Sequence, residues 1–265
     1  DTELDCILCG DWMTTFTRCI ALCLMLLPLA ATARLAGPLQ AGQPSQVRDL
    51  AQIRSSQVLR VLVNQSRNSS GEVQGQAIGV EYHRLRAFER YLNVHAREGK
   101  QITLKIIPKA KDQLLGALLR GEGDLMAPGE LLDVKPTHAV TPSDPIVEHV
   151  PMLLVGVKGE RRFTRFEQLS GRTVALTTGS VAGESINLIN QKLALRKLPP
   201  VNIEWVDPSL AVEDVLEMVQ AGIFHLTIVE KPIAERWAKL MPKLRFDRKV
   251  LISEPRAMRW FVRRD

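Results

Sequence analysis

Thr177-Thr178-Gly179-Ser180 lies between an apolar run, 173–176, and a stretch of helical periodicity, 181–197. A strand, a glycine-containing turn and a helix start would leave backbone N–H groups free at the positive end of a helix dipole. That arrangement suits a carboxylate or a phosphate. Ser180 could equally do no more than cap the helix. Other polar sets follow β-rich runs in the same way: Asn64, Gln65 and Ser66 after 58–63, Pro128, Gly129 and Glu130 after 124–127, and Glu230 after 226–229. Other chemistries lack their spacing. Gly179-Ser180-Val181-Ala182-Gly183 is not the G-x-S-x-G of a nucleophile elbow. Gly121-Glu122-Gly123 has no third glycine at the offset a dinucleotide loop needs. His83, His95, His138, His149 and His225 show no metal-ligand spacing, and no two acidic residues form a convincing catalytic pair. Neither a metal nor a cofactor is expected.

The elements that must carry these sets alternate. A buried-type strand at 58–63 precedes a polar loop, 64–76, and an amphipathic helix over 79–93 marked by Tyr82, Leu85, Phe88 and Leu92. A second strand, 102–107, is expected to stop at Pro108. Leu114, Leu115, Leu118 and Leu119 mark a helix ended by Gly121, and 124–127 is a third strand. After a proline-rich passage, 128–151, the theme recurs: strands at 152–157, 173–176, 202–206 and 226–229, with helices at 181–197 and around Val212, Val215, Leu216 and Val219. Pro232 suits the first turn of a further helix. Two β-α-β-α-β halves predict an α/β protein of two lobes, each a mostly parallel sheet flanked by helices. The expected bounds are 47–150, completed by about 250–265, and 151–249. Ligands of such sheets bind beyond the carboxyl ends of the strands, where the polar sets stand.

The first 46 residues read differently. Met13 to Arg18, an apolar run from Cys19 to Ala31, and Ala31-Thr32-Ala33 together have the form of a secretory signal cleaved after Ala33. Residues 1–12 read as an upstream extension, and 34–46, rich in Gly, Pro, Gln and Ala, as a disordered leader. Cys6, Cys9, Cys19 and Cys23 all precede the cleavage point, so the exported protein would need no disulfide. It would keep 34 basic and 25 acidic residues, a net of +9. Those charges are dispersed and not interleaved with aromatics, so a nucleic-acid partner is not expected. The expected state is a periplasmic monomer.

The order of the pieces resembles the family 3 extracellular solute-binding proteins. The residues that carry the likeness are Leu59-Arg-Val-Leu-Val63, Gly79-Val-Glu-Tyr82, Leu118-Leu-Arg-Gly-Glu-Gly-Asp-Leu125, Ser143-Asp-Pro145, Phe166-Glu-Gln-Leu-Ser-Gly-Arg-Thr-Val174, Gly179-Ser180 and Val219-Gln-Ala-Gly222. The passage from Leu251 to Arg264 is similar to the end of the solute-binding module of the membrane-bound lytic transglycosylase F family. The resemblance implies the two-lobed periplasmic-binding (type II) fold, a small amino-acid- or peptide-like ligand, and a regulatory module beside a catalytic one that cleaves peptidoglycan. It implies no catalysis by this chain alone. It also makes Glu230 the partner of a ligand ammonium. The sequence departs from the pattern in two places. Lys135 stands near the expected carboxylate-clamping arginine, and a lysine lacks its bidentate fork. Asn64-Gln65-Ser66 stands where an aromatic platform is usual.

The candidate binding residues are therefore Asn64, Gln65, Gly129, Glu130, Lys135, Thr178, Gly179, Ser180 and Glu230. Two further readings stay open. The chain could be part of a peptidoglycan lytic transglycosylase whose catalytic module lies elsewhere. It could also be a degenerate module that docks peptidoglycan or an envelope protein.

Overall fold

β1, Val58–Asn64, lies inside the first sheet, paired on both edges, and both of its faces are apolar. Val61 and Val63 point to one side, where Leu85, Leu104, Leu125 and Ala127 pack. Leu62 points to the other, against Leu114, Ala117, Leu118, Met126 and Phe261. A strand buried on both faces reads as a continuous apolar run rather than an alternating one. The computed structural model describes residues 46–73, 76–134 and 139–264. The expected upstream extension and signal, 1–33, nearly all of the expected leader 34–46, and Lys135 lie outside the described residues.

The first sheet has the order β4-β1-β5-β14-β6. β4 is Thr103–Lys109, β5 Leu125–Ala127, β6 Val140–Pro142 and β14 Phe261–Arg263. β4, β1 and β5 are parallel, and β14 runs antiparallel between β5 and β6. Helix α1, Leu50–Ser56, opens with a capping box between Asp49 and Gln52. Helix α2, Val80–Asn93, covers one face, and α3, Leu114–Leu119, the other.

The second sheet has the order β10-β9-β11-β8-β12. β8 is Met152–Val157, β9 Thr173–Leu176, β10 Asn202–Trp205, β11 Thr227–Glu230 and β12 Leu244–Asp247. β10, β9 and β11 are parallel, and β8 is the antiparallel member between β11 and β12. Helix α4, Ala182–Leu195, packs Ile186, Ile189 and Leu193 on one face. Helices α5, Val212–Gln220, and α6, Lys231–Trp237, pack on the other through Leu216, Val219, Ile233 and Ala234. Pro232 stands in the first turn of α6.

The chain crosses between the sheets twice, at β7, Val147–Val150, and on its return at β13, Arg256–Met258. These two strands pair antiparallel and form the hinge. Two local expectations need correction. The strand 102–107 does not stop at Pro108, which lies inside β4 opposite Val63. β4 is the edge of its sheet, so a residue without an N–H costs no ladder bond on the open side. The expected loop 64–76 is in part a small hairpin that runs on to Ile78, β2 (Gly71–Val73) paired with β3 (Gln76–Ile78).

Candidate functional site

The strands β1, β4 and β5 on one side and β9 and β11 on the other end at a shared cleft. A cavity of about 390 Å³ there is lined from the first lobe by Asn64 to Arg67, Lys111, Asp112 and Glu130. The second lobe supplies Thr177, Thr178, Ser209 and the first turn of α5 up to Asp214. Its mouth continues into a second depression of about 430 Å³, where Gly179, Ser180, Asn187 and Trp205 face Asp112 and Asp133.

Three charged groups are buried at the cleft's floor. Glu130 follows β5 and is 3% exposed, and Glu230 closes β11 at 6%. Lys111 comes from the 3-10 turn Lys111–Gln113 just past β4, and its Nζ donates to Glu130 Oε2 at 3.1 Å. Glu230 Oε1 accepts the backbone N–H of Leu131 at 3.0 Å, a bond between the lobes. Burial works against the Lys111 charge, but the carboxylates of Glu130 and Glu230 outweigh it and hold its pKa above the usual lysine value. Burial raises the Glu230 carboxyl above the usual range, and Glu130 adds to that rise while Lys111 opposes it. Glu130 Oε1 has no hydrogen-bond partner.

A second cluster ties the lobes at the other end of the cavity. Glu213, 1% exposed on α5, accepts Ser66 Oγ at 2.9 Å and the Arg67 N–H at 2.7 Å. The Arg67 guanidinium reaches Asp214 at 3.1 Å and Glu217 at 3.0 Å. Burial raises the Glu213 carboxyl despite those donors. Arg236 of α6 donates to the side chain and the carbonyl of Asn68.

The structure divides the expected site residues. Asn64, Gln65, Glu130 and Thr178 line the main cavity. Gly179 and Ser180 line the outer depression, where Ser180 Oγ also accepts the Ala182 N–H at 3.3 Å near the start of α4. Glu230 stands behind the cavity and faces it through Lys111 and Glu130. Gly129 is not among the residues that line the cavity; at φ +68° a side chain there would meet Ser69 and Glu81. Sequence reasoning missed Lys111, Glu213 and Arg67. Lys111 could have been found, since it follows a strand end, but that end was set at Pro108. Glu213 carries no comparable signal, because an acid in a helix's first turn is ordinary on dipole grounds. Among the described residues no group of three His, Cys, Asp or Glu side chains is placed to hold a metal.

Two lobes with this strand order, a double crossover and a polar cleft between them decide the architecture. The chain has the two-lobed solute-binding fold. The holo form of ArgBP from T. maritima superimposes with a TM-score of 0.62 at 19% identity, over 81% of this chain and 86% of that one. An amino-acid transporter substrate-binding protein, AbpA of Streptococcus pneumoniae bound to L-arginine, gives 0.62 at 16% identity over 82% and 85%. An ancestral arginine-binding protein bound to glutamine gives 0.61 at 18%, over 78% and 84%. In sequence, the chain is 25% identical over 240 residues to membrane-bound lytic murein transglycosylase F of Ectopseudomonas mendocina. That match takes in 89% of this chain and 45% of the transglycosylase. No family model matches the chain.

Proposed function

We propose that the chain is a periplasmic solute-binding module that takes a small amino-acid- or peptide-like envelope ligand between its lobes. It serves as the regulatory part of a lytic transglycosylase F-like protein, with lobes at 47–150 plus 250–265 and at 151–249. The observation that carries the reading is the polar cavity of about 390 Å³ at the strand ends, lined from both lobes. Such a volume is of the size that small-molecule sites take. Asn64, Gln65, Glu130 and Thr178 are the ligand contacts, and the Gly179–Ser180 turn guards the mouth. The module reaches its compartment by a signal cleaved after Ala33 and cleaves no peptidoglycan itself.

The test is native mass spectrometry of protein purified without refolding, followed by calorimetric titration with free amino acids and with muropeptides. A co-purified small molecule, or saturable heat with one of these classes, is expected. The same preparation should release no anhydro-muropeptides from sacculi. A protein that carries nothing and binds neither class would overturn the reading. One observation favours a docking module instead: the cleft is tied across by the chain's own bonds, from Ser66 and Arg67 to Glu213 and from Leu131 to Glu230. The lyase reading draws on the transglycosylase relative, of which the chain spans 45%.

A further inference from the structure

Glu130 and Glu230 come from opposite lobes, and both are buried. Two carboxylates in one desolvated place cannot both stay ionised without a cation. The cation is already there. Lys111 reaches from the β4 end with its side chain 10% exposed, and its ammonium sits 3.1 Å from Glu130 Oε2. The nearby Arg236 guanidinium is spent on Asn68. Glu130 lines the cavity, and its second oxygen, Oε1, is buried without a hydrogen-bond partner.

We propose that the Glu130–Glu230 pair is a primary-ammonium site filled in cis by Lys111, and that the adjoining cavity therefore takes a ligand with no free ammonium at that position. The lysine supplies the positive charge that an incoming amine would otherwise bring to these carboxylates. Its four-carbon stem holds it there without the entropy loss that a free ligand suffers on binding. The cavity then reads the rest of a molecule: an acylated amine or an amide fits, because it brings no second positive charge beside Lys111. This identification of the ligand class rests on the solute-binding reading. The filled cation site does not.

The test empties the site. Lys111→Ala removes the three methylenes and the ammonium beyond Cβ, leaving a gap the shape of n-propylammonium. The variant should lose thermal stability and regain it saturably with n-propylammonium chloride. n-Propanol and tetramethylammonium chloride at equal concentration should restore nothing, since one lacks the charge and the other the N–H donors. Wild-type protein should bind n-propylammonium at least about tenfold more weakly than the variant. An unrescued variant, or a wild type that takes the amine equally well, would overturn the proposal. If Lys111→Ala does not fold, reductive methylation of the wild-type lysines decides. Lys111 should be methylated only on unfolding, and methylation at the pace of the exposed lysines refutes the assignment. Finding that the wild type binds a ligand through a free ammonium at Glu130 and Glu230 would sink this proposal and leave the solute-binding reading standing. Finding no ligand at all would do the reverse.

Discussion

Asp124 does at the base of the first lobe what Glu130 and Glu230 do at the cleft: it gathers positive charge into a desolvated place. It is 2% exposed at the side chain. It accepts Arg60 Nη2 at 2.7 Å, the Arg60 N–H at 2.9 Å and the Arg48 guanidinium. It thereby pins the chain ahead of α1 to the start of β1. Its burial would raise the carboxyl pKa, but the hydrogen bonds from Arg60 and Arg48 win, and the value falls below the ordinary aspartate range. An acid with a depressed folded pKa contributes stability that is complete above its unfolded value and lost as pH falls through the folded one. Asp124→Asn should therefore cost about 3 kcal/mol at neutral pH, because two largely buried guanidinium groups lose their counter-charge. That cost should shrink as the solution is acidified below the usual carboxylate range, where the wild type loses the same charge. Urea unfolding of both proteins along a pH series measures it. A gap that stays constant down to strong acid would show that the residue acts through packing rather than through its charge.

Elements were legible where one force decides them. Val61, Leu62 and Val63 are apolar on both faces, so β1 could only be a buried strand, and α2 follows from Leu85, Phe88 and Leu92 on one stripe. Pro108 misled because its missing N–H counts only where a neighbour wants it, and whether β4 has a neighbour on that side is a property of the sheet. The error carried forward, since ending the strand early removed Lys111 from the strand-end residues. Glu213 was hidden for a different reason: its value comes from Ser66 and Arg67, far away in sequence and across the cleft. The edge and the interior of the sheet should thus answer differently to the same residue. Pro108→Ala should change stability by about 1 kcal/mol or less, in the destabilising direction, because it chiefly restores freedom to the unfolded chain. Val61→Pro should cost about 3 kcal/mol or more, since β1 pairs with β4 and β5 at once. Equilibrium unfolding of the two variants separates them, and similar losses would contradict the edge placement of β4.

At the scale of the whole molecule, the question is what keeps two lobes closed on a hinge of only β7 and β13. The chain's own ties run along the cleft: Leu131 to Glu230 at the floor, and Ser66 and Arg67 to Glu213 at the α5 end, with Arg67 extended to Asp214 and Glu217. The two kinds differ in strength. Arg67 is 37% exposed, and pairs of that kind in water are each worth about 1 kcal/mol or less. Glu213 is buried, so its two accepted bonds lie away from competing water and hold closure more firmly. Its carboxyl carries a raised pKa in the closed form, which means the closed form binds the proton more readily than an open one with Glu213 in water. Lower pH therefore favours closure, and rising pH through the raised value loosens it. Glu213→Ala should shift the balance toward the open form by about 1–3 kcal/mol, or roughly 5–150-fold. Small-angle scattering should read this as a larger radius of gyration for the variant at neutral pH, with the thermal unfolding of each lobe's core little changed. Glu213→Gln, which keeps the shape and an acceptor but cannot titrate, should stay closed more nearly like the wild type and lose its pH response. A Glu213→Ala radius equal to the wild type's would mean that the remaining ties, Leu131 to Glu230, Arg67 to Asp214 and Glu217, and Arg236 to Asn68, suffice with the hinge to hold the lobes.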